Sequence, residues 1–410
     1  MRAYERLLRY AVVRTPSDAD RDTTPTTACQ FDLAKLLVEE LGELGVRDVT
    51  LSDECFVYAK IPATPGLEDS PKLGLIAHMD TVSQFCDHDI VPVLHEGYDG
   101  GDLVLGDSGR TLTVKDFPHL PTLAGRTLIT TDGTTILGAD DKAGIAEIMT
   151  VLETLRDEGI AHGPLRVAFT PDEETGTGAS HFDLAAFDAD VAYTLDGDVE
   201  GQIQYQNFNA CRAEFVVTGV SVHPGAAKDV MVNAAILACH INASLPAFET
   251  PRHTSGYEGF YHLLSIEGDE ATAKVEYIVR DHDAASFAAR KATLRHVADV
   301  MNERWGEGTV RLDIDDEYQN MESVIAERMY MIDVAKEAAE RAGVRPDVSP
   351  IRGGTDGSQL SFRGLPCPNL GTGGHGFHGP YEHITVEGMD LAAKMALELV
   401  KLYGKRGNRP

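Results

Sequence analysis

The chain has 410 residues, 43% apolar and 25% charged, which points to a globular protein of two domains rather than one core. Acids outnumber bases 65 to 36, a formal charge of −29, and this argues against nucleic acid and anionic membranes, which need a basic footprint. No apolar run approaches the ~18 residues of a membrane span. The opening MRAYERLLRYAVVRTPS interleaves charge with apolar positions, unlike a secretion signal, and six cysteines without a CxxC pair read as reduced thiols of a cytoplasmic protein.

In chain order, FDLAKLLVEELGELG has helical spacing and stops at Gly45. PKLGLIAHMDTV is a short apolar run ending in polar residues. TTILGADDKAGIAEIMTVLETLRDEG passes from strand through a polar turn into a long helix. GPLRVAFTPDEE and ADVAYTLDGD are apolar runs ending in acids. Strands alternating with helices predict an α/β fold with a mixed, largely parallel sheet flanked by helices. From Cys211 the rhythm changes. CRAEFVVTGV reads as a strand, VMVNAAILACHINAS as a helix, YHLLSIEGD and TAKVEYIVRDHD as a hairpin pair, AASFAARKATLRHVADVMNERW as a helix and TVRLDIDDEY as a strand. That β-α-β-β-α-β order predicts a ferredoxin-like small domain over 209–318, inserted between the two parts of a larger domain, 1–208 and 319–410. After it, SVIAERMYMIDVAKEAAERAG predicts one helix.

Four apolar runs of the first half carry metal-type side chains at or beyond their ends: His78 and Asp80, Asp140 and Asp141, Glu173 and Glu174, and Asp196. Ligands of open α/β sheets bind beyond the carboxyl ends of the strands, so these groups are expected to converge. Two carboxylates about 4 Å apart repel by about 4 kcal/mol at an effective dielectric of 20, so such a cluster must take up protons or cations. Acids mixed with histidine suit zinc, manganese or cobalt better than calcium. His78 and Asp80, two apart, share a side in an extended segment, and one could ligate while the other orients it. Glu173 and Glu174, being adjacent, should do different work: one a ligand, the other a free general base. GTGGHGFHGPYEHI offers His375, His378 and His383 as a further ligand, and spacing alone does not choose among them.

HMDTV, LITTDGTTILGADDKAG, FTPDEETGTGA, YTLDGD, SVHPGAAKDVMVNA, IRGGTDGSQLSFRGLPCPN and GFHGPYEH, in this order, resemble the peptidase T family. These are tripeptide aminopeptidases of the aminoacylase and glutamate-carboxypeptidase group of di-zinc hydrolases. The resemblance runs from about Leu7 to the final helix. It implies a zinc-exopeptidase-like fold with two zinc ions per subunit, cobalt or manganese being possible substitutes. His78, Asp140, Glu174, Asp196 and His378 would be the metal ligands, with Asp140 bridging and its bond to Asp141 cis. Asp80 would orient His78, and Glu173 would be the proton acceptor. His223 would steady the oxyanion in a neighbouring subunit's site, so a homodimer through the small domain is implied. Arg280 and Arg352 would hold the peptide carboxylate. The stretch KDFPHLPTLAG and the extra histidine of GTGGHGFHG depart from the pattern. The expected activity is release of the N-terminal residue from tripeptides by metal-activated water with Glu173 as general base. A related dipeptidase, carboxypeptidase or N-acyl amino acid deacylase is the nearer alternative, and a non-catalytic metal-binding protein of the same fold the remoter one.

Overall fold

The computed structural model describes residues 1–406. The described residues divide into two compact units: Met1–Tyr205 with Ser323–Ser349 and 355–406, and Gln206–Glu322 with Pro350–Gly354.

The larger unit is α/β. Its eight-stranded sheet runs, edge to edge, Asp48–Leu51, Val57–Ile61, Leu165–Thr170, Leu73–His78, Val191–Gly197, Asn369–Gly371, Gln202–Gln204, Asp347–Val348. The four middle strands, from Leu165–Thr170 to Asn369–Gly371, are mutually parallel, and antiparallel pairs flank them. LGLIAH and LRVAFT are buried at every position, as continuous apolar runs must be when helices cover both faces of a parallel sheet. Helices Ala3–Ala11, Ala139–Glu158, Tyr330–Ala342 and Val386–Arg406 pack with one another, and Ala139–Glu158 lies on strands Leu73–His78 and Val191–Gly197. The hydroxyl of Tyr193 stitches its strand to two of them, 2.9 Å from the Met331 carbonyl and 2.9 Å from the Tyr403 hydroxyl.

Gly144 shows how closely the long helix approaches the sheet. A Cβ there would lie 2.0 Å from the Leu195 carbonyl oxygen and 2.5 Å from Asp141 Oδ1, so only glycine fits. A second small sheet of this unit joins Gly374–His375, His383–Thr385, Leu128–Thr130 and Val93–His95 in antiparallel pairs.

The smaller unit is a four-stranded antiparallel sheet, ordered Phe260–Gly268, Thr272–Asp281, Asn209–Thr218, Val310–Tyr318. With helices Ala234–Ala243 and Ala284–Trp305 the chain order is β-α-β-β-α-β, and the first strand sits between the third and fourth. Phe215, Val275, Tyr277, Leu237, Ile241, Leu294 and Val297 form one core between sheet and helices.

Two elements differ from the sequence reading. The helix expected over SVIAERMYMIDVAKEAAERAG breaks into Glu322–Ile325, a 3₁₀ turn Ala326–Arg328, and Tyr330–Ala342. Ile325 before the break and Met331 and Ile332 after it are all at 0% exposure. The helix expected from Val230 starts at Ala234, because the Asn233 side chain accepts the Ile236 amide at 3.1 Å and caps it there. Among the described residues no helix is long and apolar enough to cross a membrane.

Candidate active site

Parallel strands present their carboxyl ends on one side of a sheet, and here those ends carry the acids. Leu73–His78 ends on His78, Leu165–Thr170 runs on into Asp172, Glu173 and Glu174, and Val191–Gly197 carries Asp196. Asp140 and Asp141 open the helix Ala139–Glu158 with non-helical backbone, and the peptide bond between them is cis.

These groups meet around Asp140. His78 Nε2 is 2.9 Å from Asp140 Oδ1 and 3.5 Å from Asp196 Oδ1. His378 Nε2 is 3.0 Å from Asp140 Oδ2 and 3.2 Å from Glu174 Oε2. Asp140 therefore lies between two imidazoles, one oxygen toward each. Of the three histidines in the glycine-rich stretch, His378 is the one in contact with the acids. Two sets of ligand atoms lie within 4.8 Å of one another: His78, Asp141 and Asp196, and His78, Asp140 and Glu174.

Asp80 sits beside His78 and also holds main chain. Its carboxylate accepts the backbone amides of Glu173 (2.9 Å) and Glu174 (3.1 Å). His78 Nδ1 lies 3.0 Å from the Asp80 main-chain carbonyl but 3.5 Å from its carboxylate. One fully buried acid thus ties the end of one strand to the loop that follows its neighbour.

The electrostatics describe an excess of negative charge. Burial pushes Glu174 up to about 7, with the charge of Asp140 adding to it. Burial likewise raises Asp196 to about 6. Hydrogen bonds to Asp140 and Glu174 push His378 up to about 11. Burial opposes a charge on His78, but Asp140 and Asp196 outweigh it and raise its pKa well above the usual value. Asp140 is held below the carboxylate range, since the hydrogen bonds from His378 and His78 overcome its burial. Both imidazoles are thus drawn toward the charged form by the acids around them. Glu174 Oε1 is buried with no hydrogen-bond partner, so the cluster is not satisfied within itself. The Glu173 carboxyl carries no hydrogen bond among the described residues. Burial, then the charges of Asp196, Asp356 and Glu174, raise its pKa well above the carboxylate range.

Sequence reading named Asp141 among the metal-type side chains without giving it a role, and it passed over two further acids that this arrangement uses. Asp141 accepts the His78 amide at 3.2 Å and the Gly144 amide at 3.2 Å. Asp356 accepts the Thr170 hydroxyl at 2.9 Å, and burial raises it to about 7. Glu382 is 2% exposed and accepts the amides of Leu137, Gly138 and Asp140. The Asp of IRGGTDGSQL and the Glu of GFHGPYEH lay inside quoted motifs and were the available signals.

His223, Arg280 and Arg352 belong to the smaller unit. His223 is exposed, and its Nδ1 accepts the Gly225 amide at 3.1 Å, leaving Nε2 outward. Arg280 donates to the Arg352 carbonyl at 3.2 Å and sits 5.8 Å over the Tyr318 ring, while its buried Nε has no hydrogen-bond partner. Arg352 donates to the carbonyls of Gly256 (2.6 Å) and Glu258 (3.0 Å) and to the Thr254 hydroxyl (2.9 Å). It also stacks on Phe208 and Phe260. Its donors are thus largely engaged within the unit.

Comparison with known proteins agrees with this architecture. The model of peptidase family M20/M25/M40 matches residues 131–402. Peptidase T of Geobacillus kaustophilus is 48% identical over 406 residues, 98% of each chain. The crystal structure of aminopeptidase PepT from Bacillus cereus superposes with a TM-score of 0.77 at 23% identity, covering 98% of each chain. That of the Bacillus subtilis YXEP protein, described as a dinuclear metal binding peptidase of the M20 family, has a TM-score of 0.64 at 16% identity, covering 98% and 99%. The chain is a hydrolase of peptidase family M20/M25/M40, similar over nearly its whole length to the peptidase T enzymes within it.

Proposed function

We propose that the chain is a di-zinc aminopeptidase that releases the N-terminal residue from tripeptides. The observation that carries this reading is a division of labour between adjacent acids: Glu174 bonds His378 in the cluster, while the neighbouring Glu173 forms no ion pair among the described residues. The cluster suits metal on its own chemistry. It offers imidazole nitrogens and carboxylate oxygens within 4.8 Å of one another, and a buried Glu174 oxygen without a partner. Mixed nitrogen and oxygen donors favour zinc, with cobalt or manganese as substitutes. His78 and Asp196 would hold one cation and Glu174 and His378 the other, with Asp140 shared. When bound, such a pair supplies Lewis acidity toward the scissile carbonyl and lowers the pKa of water.

Glu173 then takes a proton from the attacking water as oxygen adds to the first peptide carbonyl. It delivers that proton to the leaving amine as the C–N bond breaks. Asp80 keeps the Glu173–Glu174 backbone in place through the two amides it binds. His223, from a second copy in a homodimer, would donate to the oxyanion. Arg280, its Nε free, would grip the far carboxylate, and Arg352 would fix the 254–258 loop beneath it. The six scattered, unpaired cysteines support a cytoplasmic setting.

The test is a metal-replete assay of one tripeptide beside its N-acetylated form, on wild type and Glu173→Ala. Cleavage of the free-amine peptide alone is expected. Glu173→Ala should keep about two metals per chain while kcat falls by about 10²–10⁴-fold, the range for losing a general base. Preference for the acetylated substrate would support a deacylase instead, and a fully active Glu173→Ala would remove that residue from the chemistry.

A further inference from the structure

The helix Ala139–Glu158 starts on irregular backbone. Gly138 lies at φ 71°, Asp140 and Asp141 depart from helical backbone, and the segment's own Asp141 accepts the Gly144 amide at 3.2 Å, which leaves the amides leading into the turn, at Leu137, Gly138 and Asp140, to be met from elsewhere. Amides at such a start need acceptors when they are buried. A single carboxylate from the far end of the chain supplies them. Glu382 Oε2 accepts Leu137 N at 2.7 Å and Gly138 N at 2.8 Å, and Oε1 accepts Asp140 N at 3.0 Å. Both oxygens are thereby engaged, and Glu382 belongs to neither set of ligand atoms that could hold a metal. Four residues earlier, His378 reaches the Asp140 carboxylate at 3.0 Å. One short segment therefore grips Asp140 by main chain and by side chain together.

That segment is itself anchored. Ile384 pairs with Ile129 and Thr385 with Leu128, and His383 Nε2 lies 2.9 Å from His119 Nε2. The grip is consequently rigid on both sides: the strand at its back and the helix start in front. Negative charge at a helix start is also favoured by the helix dipole.

We infer that Glu382 is the positioning residue for Asp140, setting the orientation of the shared carboxylate and with it the affinity and geometry of the cation pair. This rests on the dinuclear reading above. The geometry explains why a carboxylate, rather than an amide, is needed: three N–H groups point at two oxygens. A glutamine would turn one acceptor into a donor facing an amide and leave that amide buried and unpaired.

The experiment compares wild type with Glu382→Gln and Glu382→Asp by titrating zinc and cobalt into chelator-stripped protein, with the visible absorption of the cobalt-loaded protein as a geometric readout. The expected result for Glu382→Gln is about 10–100-fold weaker affinity for at least one cation, as for other groups that hold ligands in place. An altered cobalt band and a lowered kcat at nearly unchanged KM should accompany it. Glu382→Asp, which keeps the charge but is one methylene shorter, should fall between the two, and it serves if the glutamine variant does not fold. A folded variant of either kind with wild-type affinity, cobalt spectrum and kcat would overturn the inference. Wild type binding fewer than two cations would instead overturn the dinuclear reading.

Discussion

Arg280 and Arg352 carry the same charge and touch one another, yet their donors are spent differently. Arg352 gives its hydrogen bonds to the 254–258 loop and lies against two phenylalanine rings, so its guanidinium is a brace. Burial, together with the nearness of Arg280, lowers its pKa, as expected for a cation held among apolar rings beside a like charge. Arg280 keeps an unused donor. Losing a hydrogen bond to a charged group costs about 1.5–3 kcal/mol, so Arg280→Met should lower kcat/KM for a tripeptide about 10–100-fold. The same change should barely affect the C-terminal amide of that peptide. Equal losses on both substrates would show that Arg280 does not read the carboxylate. From sequence the two arginines looked equivalent, because what separates them is the loop at 254–258, nearly a hundred residues before Arg352 in the chain.

Among the elements, the strands that bring the acids together were legible because LGLIAH, LRVAF and VAYTL are continuous apolar runs, and a strand buried on both faces can be little else. The helix that breaks at Ala326–Arg328 was not, since neither Gly nor Pro interrupts SVIAERMYMIDVAKEAAERA there. Nor could the partner of the extra histidine be read. His375 stacks on His119 with centroids 4.1 Å apart, and His119 comes from KDFPHLPTLAG, the other stretch that departs from the family pattern. His383 completes the stack. Its Nδ1 donates to the Tyr381 carbonyl at 2.7 Å, so its Nε2 accepts and His119 Nε2 donates. The surroundings favour the neutral form of all three rings. Burial, then the neighbouring histidines, lower His375 to about 3, and burial lowers His383 to about 4. Arg126 adds to this on His375, and no acid figures among the influences on either ring.

The sign follows from the lowered values. An unfolded chain protonates these rings near the ordinary 6.5, whereas the folded one resists to about 4 and 3. The stability they contribute is whole above about 6.5 and is lost as pH falls toward those lower values, by at most about 1.4 kcal/mol per pH unit for each ring. His375→Phe keeps a ring in the stack and removes one titration. Its urea midpoint should fall less steeply than that of wild type between pH 6.5 and 4.5. Parallel pH profiles would mean that His375 is already protonated in the folded protein or fully solvated there.

At the scale of the whole molecule, the charge of −29 finds no counterweight in composition, and several of the acids are gathered in the buried cluster around Asp140. Gathering it opposes folding unless cations or protons are supplied. The motif order and the β-α-β-β-α-β rhythm made the division of labour along the chain readable. The acceptor for the amides that lead into Asp140 was not, because Glu382 and Asp140 are 242 residues apart and only the folded chain joins them. The central claim is that this cluster is a site for two divalent cations with Asp140 between them. The most direct measurement is elemental analysis of protein loaded with zinc and then dialysed, for wild type and Asp140→Ala. Two zinc ions per chain in wild type and no more than one in the variant is the predicted result; a wild type without zinc, or an alanine variant that still holds two, would contradict it.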